Sequence, residues 1–176
     1  QNPLWAGLTA TKLVEKFVTD VNVSNTTTET YLLSMSLAAG DMGANDVLHI
    51  RLNFSEMNTQ GAGTVNLRCY FSTGTSIDLW NYTGGSLPSC RGWVDFFVYA
   101  NNATNSQILT AYVWGSQENS GGVGSSTLSQ IMRTVTGTAA VDTTAAVTLR
   151  ITFQAAVADP ATNINVTDGW AVLYRV

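Results

Sequence analysis

From Val47 to Phe54 apolar and polar side chains alternate without a break, with Leu48, Ile50, Leu52 and Phe54 on one side and His49, Arg51 and Asn53 on the other. A period of two is the mark of a β-strand with one face in a core. The same pattern recurs in Val65, Leu67, Cys69 and Phe71 against Asn66, Arg68 and Tyr70. It recurs again in Val147, Leu149, Ile151 and Phe153 against Thr148, Arg150, Thr152 and Gln154. Each of these three strands carries a single outward arginine: Arg51, Arg68 and Arg150. Two earlier segments also alternate: Phe17, Thr19, Val21 and Val23, then Tyr31, Leu33, Met35 and Leu37. Less regular strands are predicted at 75–80, 92–101, 107–115, 128–136 and 165–176, the last with Trp170, Val172, Tyr174 and Val176 on one side.

About ten strands separated by Gly, Asn and Ser clusters, with no helical periodicity beyond two turns, predict an all-β protein. One-sided alternation implies antiparallel sheets, and the expected packing is an antiparallel β-sandwich of jelly-roll type. Loops are expected at 57–63, 81–91, 101–106 and 116–126. The stretch "AAGDMGANDVL", Ala38 to Leu48, is a strand-to-strand corner. There Gly40 and Gly43 are free to take positive φ, and Asn45 and Asp46 are able to bond their own backbone. Residues 12–176 are expected to form a single sandwich domain, preceded by an extended N-terminal arm at 1–11, where Pro3 argues against a helix.

Apolar residues make up 45% of the 176-residue chain, sufficient for a core of its own, whereas charged residues make up only 11%. Thr, Asn, Ser and Gly supply the polarity instead, and they suit strands and turns. A net charge of −4 without clustered Lys and Arg excludes phosphate-backbone binding, so no nucleic acid is expected as a partner. No run of about 18 apolar residues is present, so no membrane-spanning helix is expected.

Candidate chemistry is sparse. His49 is the single histidine. It leaves a Ser-His-Asp or zinc site little to draw on, and no enzyme, cofactor or metal is expected. Asp41, Asp46, Asp142, Asp159 and Asp168 stand near turns, where Asp belongs without binding calcium. Cys69 falls on an inward face and reads as a buried free thiol, with a bridge to Cys90 as the alternative. Trp80, Tyr82, Trp93, Tyr99, Tyr112 and Trp114 read as core and subunit-interface packing, with a sugar-stacking platform as the alternative.

The segment "TTTETYLLSMSLAAGDMGANDVLHIRLNF", Thr26 to Phe54, resembles the opening of a β-sandwich domain found in virion structural proteins of tailed bacteriophages. There a Thr-rich strand, a glycine corner ending in Asn-Asp and an alternating strand follow in that order. "TVNLRCYF", "GWVDFFVYANNATNSQILTAYVWGSQ" and "DTTAAVTLRITFQAAVADPATNINVTDGWAVLYRV" extend the resemblance over roughly residues 25–176. It implies a virion structural protein: a capsid decoration (cement) protein on the outer head, with a carbohydrate- or receptor-binding sandwich of a fibre or tail tip as the second possibility. It lends no catalytic residues.

That resemblance, together with outer faces so poor in charge, leads to an expected homotrimer. The major capsid protein or another virion protein is the further partner. Leu4, Trp5 and Leu8 in the arm are expected to dock on a neighbour, with Lys12 and Lys16 meeting acidic groups. Arg51, Arg68 and Arg150 are expected to pair across subunits or with neighbours in their own sheets.

Overall fold

In the computed structural model the residues described are 9–17, 20–59, 64–72, 74–83, 90–117 and 130–175. Eleven strands run through them. In chain order they are β1 (Thr9–Phe17), β2 (Val21–Ser24), β3 (Thr30–Leu37), β4 (Val47–Thr59), β5 (Thr64–Phe71), β6 (Ser76–Thr83), β7 (Cys90–Ala100), β8 (Gln107–Gln117), β9 (Gln130–Ala139), β10 (Val147–Ala155) and β11 (Thr162–Arg175). Among the described residues there is no helix.

The strands form two antiparallel sheets. The large, seven-stranded one has the order β1-β11-β4-β7-β8-β9, with β2 also paired to β11; the small, four-stranded one has the order β3-β10-β5-β6. The described strands cross between the sheets six times, β2 to β3, β3 to β4, β4 to β5, β6 to β7, β9 to β10 and β10 to β11, as in a jelly roll. The protein is therefore an all-β antiparallel sandwich, as the alternation predicted.

Between the sheets the core is built from the inward sets of the alternating strands. Leu48, Ile50, Leu52 and Phe54 of β4 meet Leu67, Cys69 and Phe71 of β5 and Leu149, Ile151 and Phe153 of β10, all buried. Val94, Phe96 and Val98 of β7, with Leu109, Ala111 and Val113 of β8, extend that core. Each Leu, Ile, Val or Phe among them contributes about 1.5–3 kcal/mol by leaving water. Because the side-chain period is two, the same burial fixes which residues face outward, and that determines the functional surface.

Four local expectations are corrected. Phe17 to Val23 is not one strand: β1 ends at Phe17 and β2 begins at Val21, both pairing with β11. In β3 Tyr31 is exposed and Leu32 is buried, because a register shift opposite Ile151 and Thr152 breaks the alternation. The loops expected at 57–63 and 81–91 are shorter at their described ends, since β4 continues to Thr59, β6 to Thr83, and β7 starts at Cys90. The expected 116–126 loop lies largely outside the described residues. β1 takes up residues 9–11, the end of the segment read as an arm.

The glycine corner works by a division of labour. Gly40 takes a φ of 74° and its N–H bonds the Thr143 carbonyl at 2.9 Å. Gly43 does not adopt positive φ; its N–H instead donates to the buried Asp46 carboxylate at 2.8 Å. The Asp46 carbonyl accepts from Ala100 N–H at 2.9 Å, which ties the corner to the end of β7. Nearby, the Gln107 side chain donates to the Thr104 and Val141 carbonyls and accepts from Val141 N–H. The corner, the β7–β8 turn and the β9–β10 connection thus hold one end of the sandwich together, and the long strands project from it in fixed register.

Candidate functional site on the outer face of the large sheet

Register carries the outward residues of five neighbouring strands onto one surface. His49, Arg51 and Asn53 of β4 stand opposite Phe97, Asp95 and Trp93 of β7. Trp93, Asp95, Phe97 and Tyr99 in turn oppose Trp114, Tyr112, Thr110 and Ile108 of β8. On the other side, Asp168, Trp170, Val172 and Tyr174 of β11 oppose Asn53, Arg51, His49 and Val47. Met132 of β9 stands beside Trp114 at the far margin.

The rings touch in sequence across the strands. Trp93 and Trp114 stack with centroids 4.3 Å apart, and the Arg51 guanidinium lies 5.2 Å from the Trp93 ring and 5.9 Å from Trp170. His49 stacks on Phe97 at 3.9 Å and meets Trp170 edge-on at 4.6 Å. Phe97 continues to Tyr99 and Tyr112. Tyr112, Ile108 and Met132 remain 39%, 42% and 80% exposed. That is a continuous apolar and aromatic surface, open to solvent in a chain that has a complete core elsewhere.

At its centre sits Asp95, only 7% exposed. Arg51 grips it with two hydrogen bonds, Nε to Oδ1 at 2.8 Å and Nη2 to Oδ2 at 2.6 Å, and His49 Nε2 lies 2.7 Å from Oδ1. Burial alone would raise the Asp95 pKa, but the hydrogen bonds from His49 and Arg51 and the arginine's charge outweigh it and hold the carboxyl below its ordinary range. The pairing with Asp95 likewise raises the Arg51 pKa. The central charges thus neutralise each other. Asn53 Nδ2 donates to Asp168 on the same face.

The expected site residues do not converge. Arg51 belongs to this face, whereas Arg68 and Arg150 lie on the outer face of the small sheet. Arg68 bonds Asp78 at 2.9 Å, Glu29 at 3.2 Å and Gln154 at 3.1 Å, and Glu29 also accepts from Tyr70 and Thr152. Burial opposes ionisation of Glu29, but its hydrogen bonds and Arg68 lower its pKa overall. Arg150 lies 5.1 Å from the Tyr31 ring. Two of the three arginines are therefore paired with acids inside their own sheet. Lys12 and Lys16 pair by backbone register with Leu173 and Trp170, at the edge of the large sheet. Leu4, Trp5 and Leu8 lie outside the described residues.

Of the aromatics considered from sequence, Trp93, Tyr99, Tyr112 and Trp114 meet on this face, while Trp80 is buried in β6. Tyr82 contributes no described side chain. Cys69 and Cys90 are both free and buried, Cys69 in the small sheet and Cys90 in the large one. Sequence reasoning missed Asp95, Phe97 and the meeting of Trp170 with Arg51. The alternation Trp93, Asp95, Phe97, Tyr99 against Val94, Phe96, Val98 was the available signal. Among the described residues no group of acidic, His or Cys side chains is placed to hold a metal ion.

No family model matches the chain, and no curated protein matches it. Among solved structures, a lectin UEA-II complexed with galactose aligns over 94% of this chain and 85% of its own, at 9% identity and a TM-score of 0.34.

Proposed function

We propose that the chain is a structural protein of a virus particle, a capsid decoration subunit bound outside the head shell, that assembles through the outer face of its large sheet. The observation that carries this reading is an aromatic surface whose central charges, Arg51 and Asp95, are paired with each other. A protein surface is a suitable cover for such a face, because its central charges neutralise each other and an acceptor on the partner can meet the guanidinium N–H groups that Asp95 leaves open.

Size supports the same reading. Five strands about 4.8 Å apart, each spanning about seven residues at ~3.3 Å, outline a flat area of roughly 550 Å². With side-chain relief that approaches the ~800 Å² per partner of a standard interface. Tyr and Trp dominate it, the residues most enriched where interfaces concentrate their energy. The virion role and a stoichiometry of three rest on the resemblance of residues 25–176, with the major capsid protein as the second partner.

A second reading, carbohydrate or receptor binding at a fibre or tail tip, is favoured by the Trp93–Trp114 stack beside the exposed Met132. Against it, Trp93 is already engaged by Trp114 and by Arg51, and three hydrogen bonds from Arg51 and His49 already occupy Asp95. The test is cosedimentation with undecorated heads. Binding that raises the melting temperature of the heads supports decoration. Failure to bind heads, with tryptophan fluorescence quenched by a sugar, supports the second reading and overturns the first.

A further inference from the structure

An exposed strand edge is a row of unmet N–H and C=O groups, and proteins that remain single guard such edges with bulges, charges or proline. Three edge strands here are guarded in that way. The β1 ladder against β11 breaks register twice, and its sequence carries Lys12, Glu15 and Lys16. β3 shifts register against β10, and β6 shifts against β5. β9 is different: it pairs with β8 over Gln107 to Ser116 without a single shift, and no other strand among the described residues pairs with its far side. Its sequence, "QIMRTVTGTA", contains no proline and one charge, Arg133.

We propose that β9 is an assembly edge, and that its occupant is β9 of a second copy, antiparallel about a twofold axis through Val135. In a continuous sheet, directly opposed residues share a face, so the axis must pass through a residue and not between two. Centring on Val135 opposes Thr134 with Thr136, Met132 with Thr138, and Arg133 with Gly137. Centring on Arg133 would set like charges face to face, which is unfavourable. At the Val135 register each guanidinium instead lies opposite a residue without a side chain.

The remaining features of the strand fit that partner. Met132, 80% exposed, gains the methyl of a threonine as its cover. Val135, half-buried against the core, meets its own copy on the inner side. The two outer faces become one surface, because Met132 already adjoins Trp114. The edge pairing is independent of how the outer face is used. If that face assembles three copies, paired β9 edges link such assemblies two by two; if it does not, they link single chains.

Sedimentation equilibrium of two double variants separates the possibilities. Thr134 and Thr136 are both exposed, so the fold tolerates either change, and unaltered melting of the dissociated form verifies this. Thr134→Lys with Thr136→Lys places lysines opposite lysines, and halving of the assembly mass is expected. Thr134→Lys with Thr136→Glu places each lysine opposite a glutamate, and the wild-type mass is expected to return. A Lys/Lys variant with undiminished mass, or a Lys/Glu variant that stays at half mass, overturns the pairing. Loss of head binding with mass unchanged strikes at the decoration role and leaves the edge untouched.

Discussion

The Arg51 guanidinium holds the Asp95 carboxylate in a two-pronged grip at 2.6 and 2.8 Å, between adjacent strands and under a roof of aromatic rings. Such geometry is worth more than an exposed ion pair, because the acid is nearly out of water and both its oxygens are used. Removing one partner leaves the other uncompensated. Asp95→Asn is therefore expected to cost about 2 kcal/mol, below the usual range for fully buried pairs because Arg51 is a third exposed. Chemical denaturation of the variant beside the wild type checks this.

Acid should weaken the fold through the same carboxylate. Asp95 and Glu29 both have lowered pKa values in the folded chain, so the unfolded chain binds protons more readily. Their stabilisation is complete above the ordinary carboxylate pKa of about 4 and is lost as the pH falls through the lower folded-state values. Melting temperatures are expected to fall steeply below about pH 4. The fall should be shallower in Asp95→Asn, which has lost one of the two groups.

Gly92 supports the same face from beneath the tryptophan pair. A Cβ there would stand 1.9 Å from the Trp114 carbonyl oxygen and 2.8 Å from the Phe54 ring. Backbone cannot give way as a flexible side chain does, so Gly92→Ala is expected to destabilise by about 3 kcal/mol or more. It should also disturb the Trp93–Trp114 stack, visible as a changed near-ultraviolet circular dichroism signal. A variant as stable as the wild type with the same spectrum would contradict the β7–β8 packing.

Neither thiol should react in the native protein. Burial raises the Cys69 pKa far above the usual thiol value, and burial raises that of Cys90 to about 11; the Cys90 S–H also donates to the Met57 carbonyl, which favours the protonated thiol. Thiolate is the reactive form, so labelling by a thiol reagent at neutral pH is expected to wait for unfolding. Cys69→Ser, which places a hydroxyl among Leu67, Phe71 and Ile151, is expected to cost about 1–3 kcal/mol.

The sandwich was legible because β4, β5 and β10 alternate strictly, and strict alternation leaves one choice of inward face. β1 was not legible, since Lys12, Glu15 and Lys16 interrupt any apolar stripe and its bulges shift the period. The reversal of Tyr31 and Leu32 arises from a cross-strand bulge, which depends on β10 and leaves no trace in β3 itself. At the site, Arg51 was visible as an outward residue, but its partner was not. Asp95 lies 44 positions away, and its proximity comes from the β4–β7 register, which no local pattern encodes. The aromatics were noticed yet assigned chiefly to packing, because a strand with Val, Phe and Val inward and Trp, Phe and Tyr outward is apolar on both sides.

The central claim is that the outer face of the large sheet is covered by protein. Sedimentation equilibrium of the wild type beside Tyr112→Lys tests it most directly, since Tyr112 is well exposed and its replacement leaves the core intact. The expected result is a wild-type mass of three chains, or of six where β9 edges also pair, with the lysine variant dissociating at unchanged melting temperature of the single chain. A wild type that sediments as one chain, or a variant with the same assembly mass as the wild type, would contradict it.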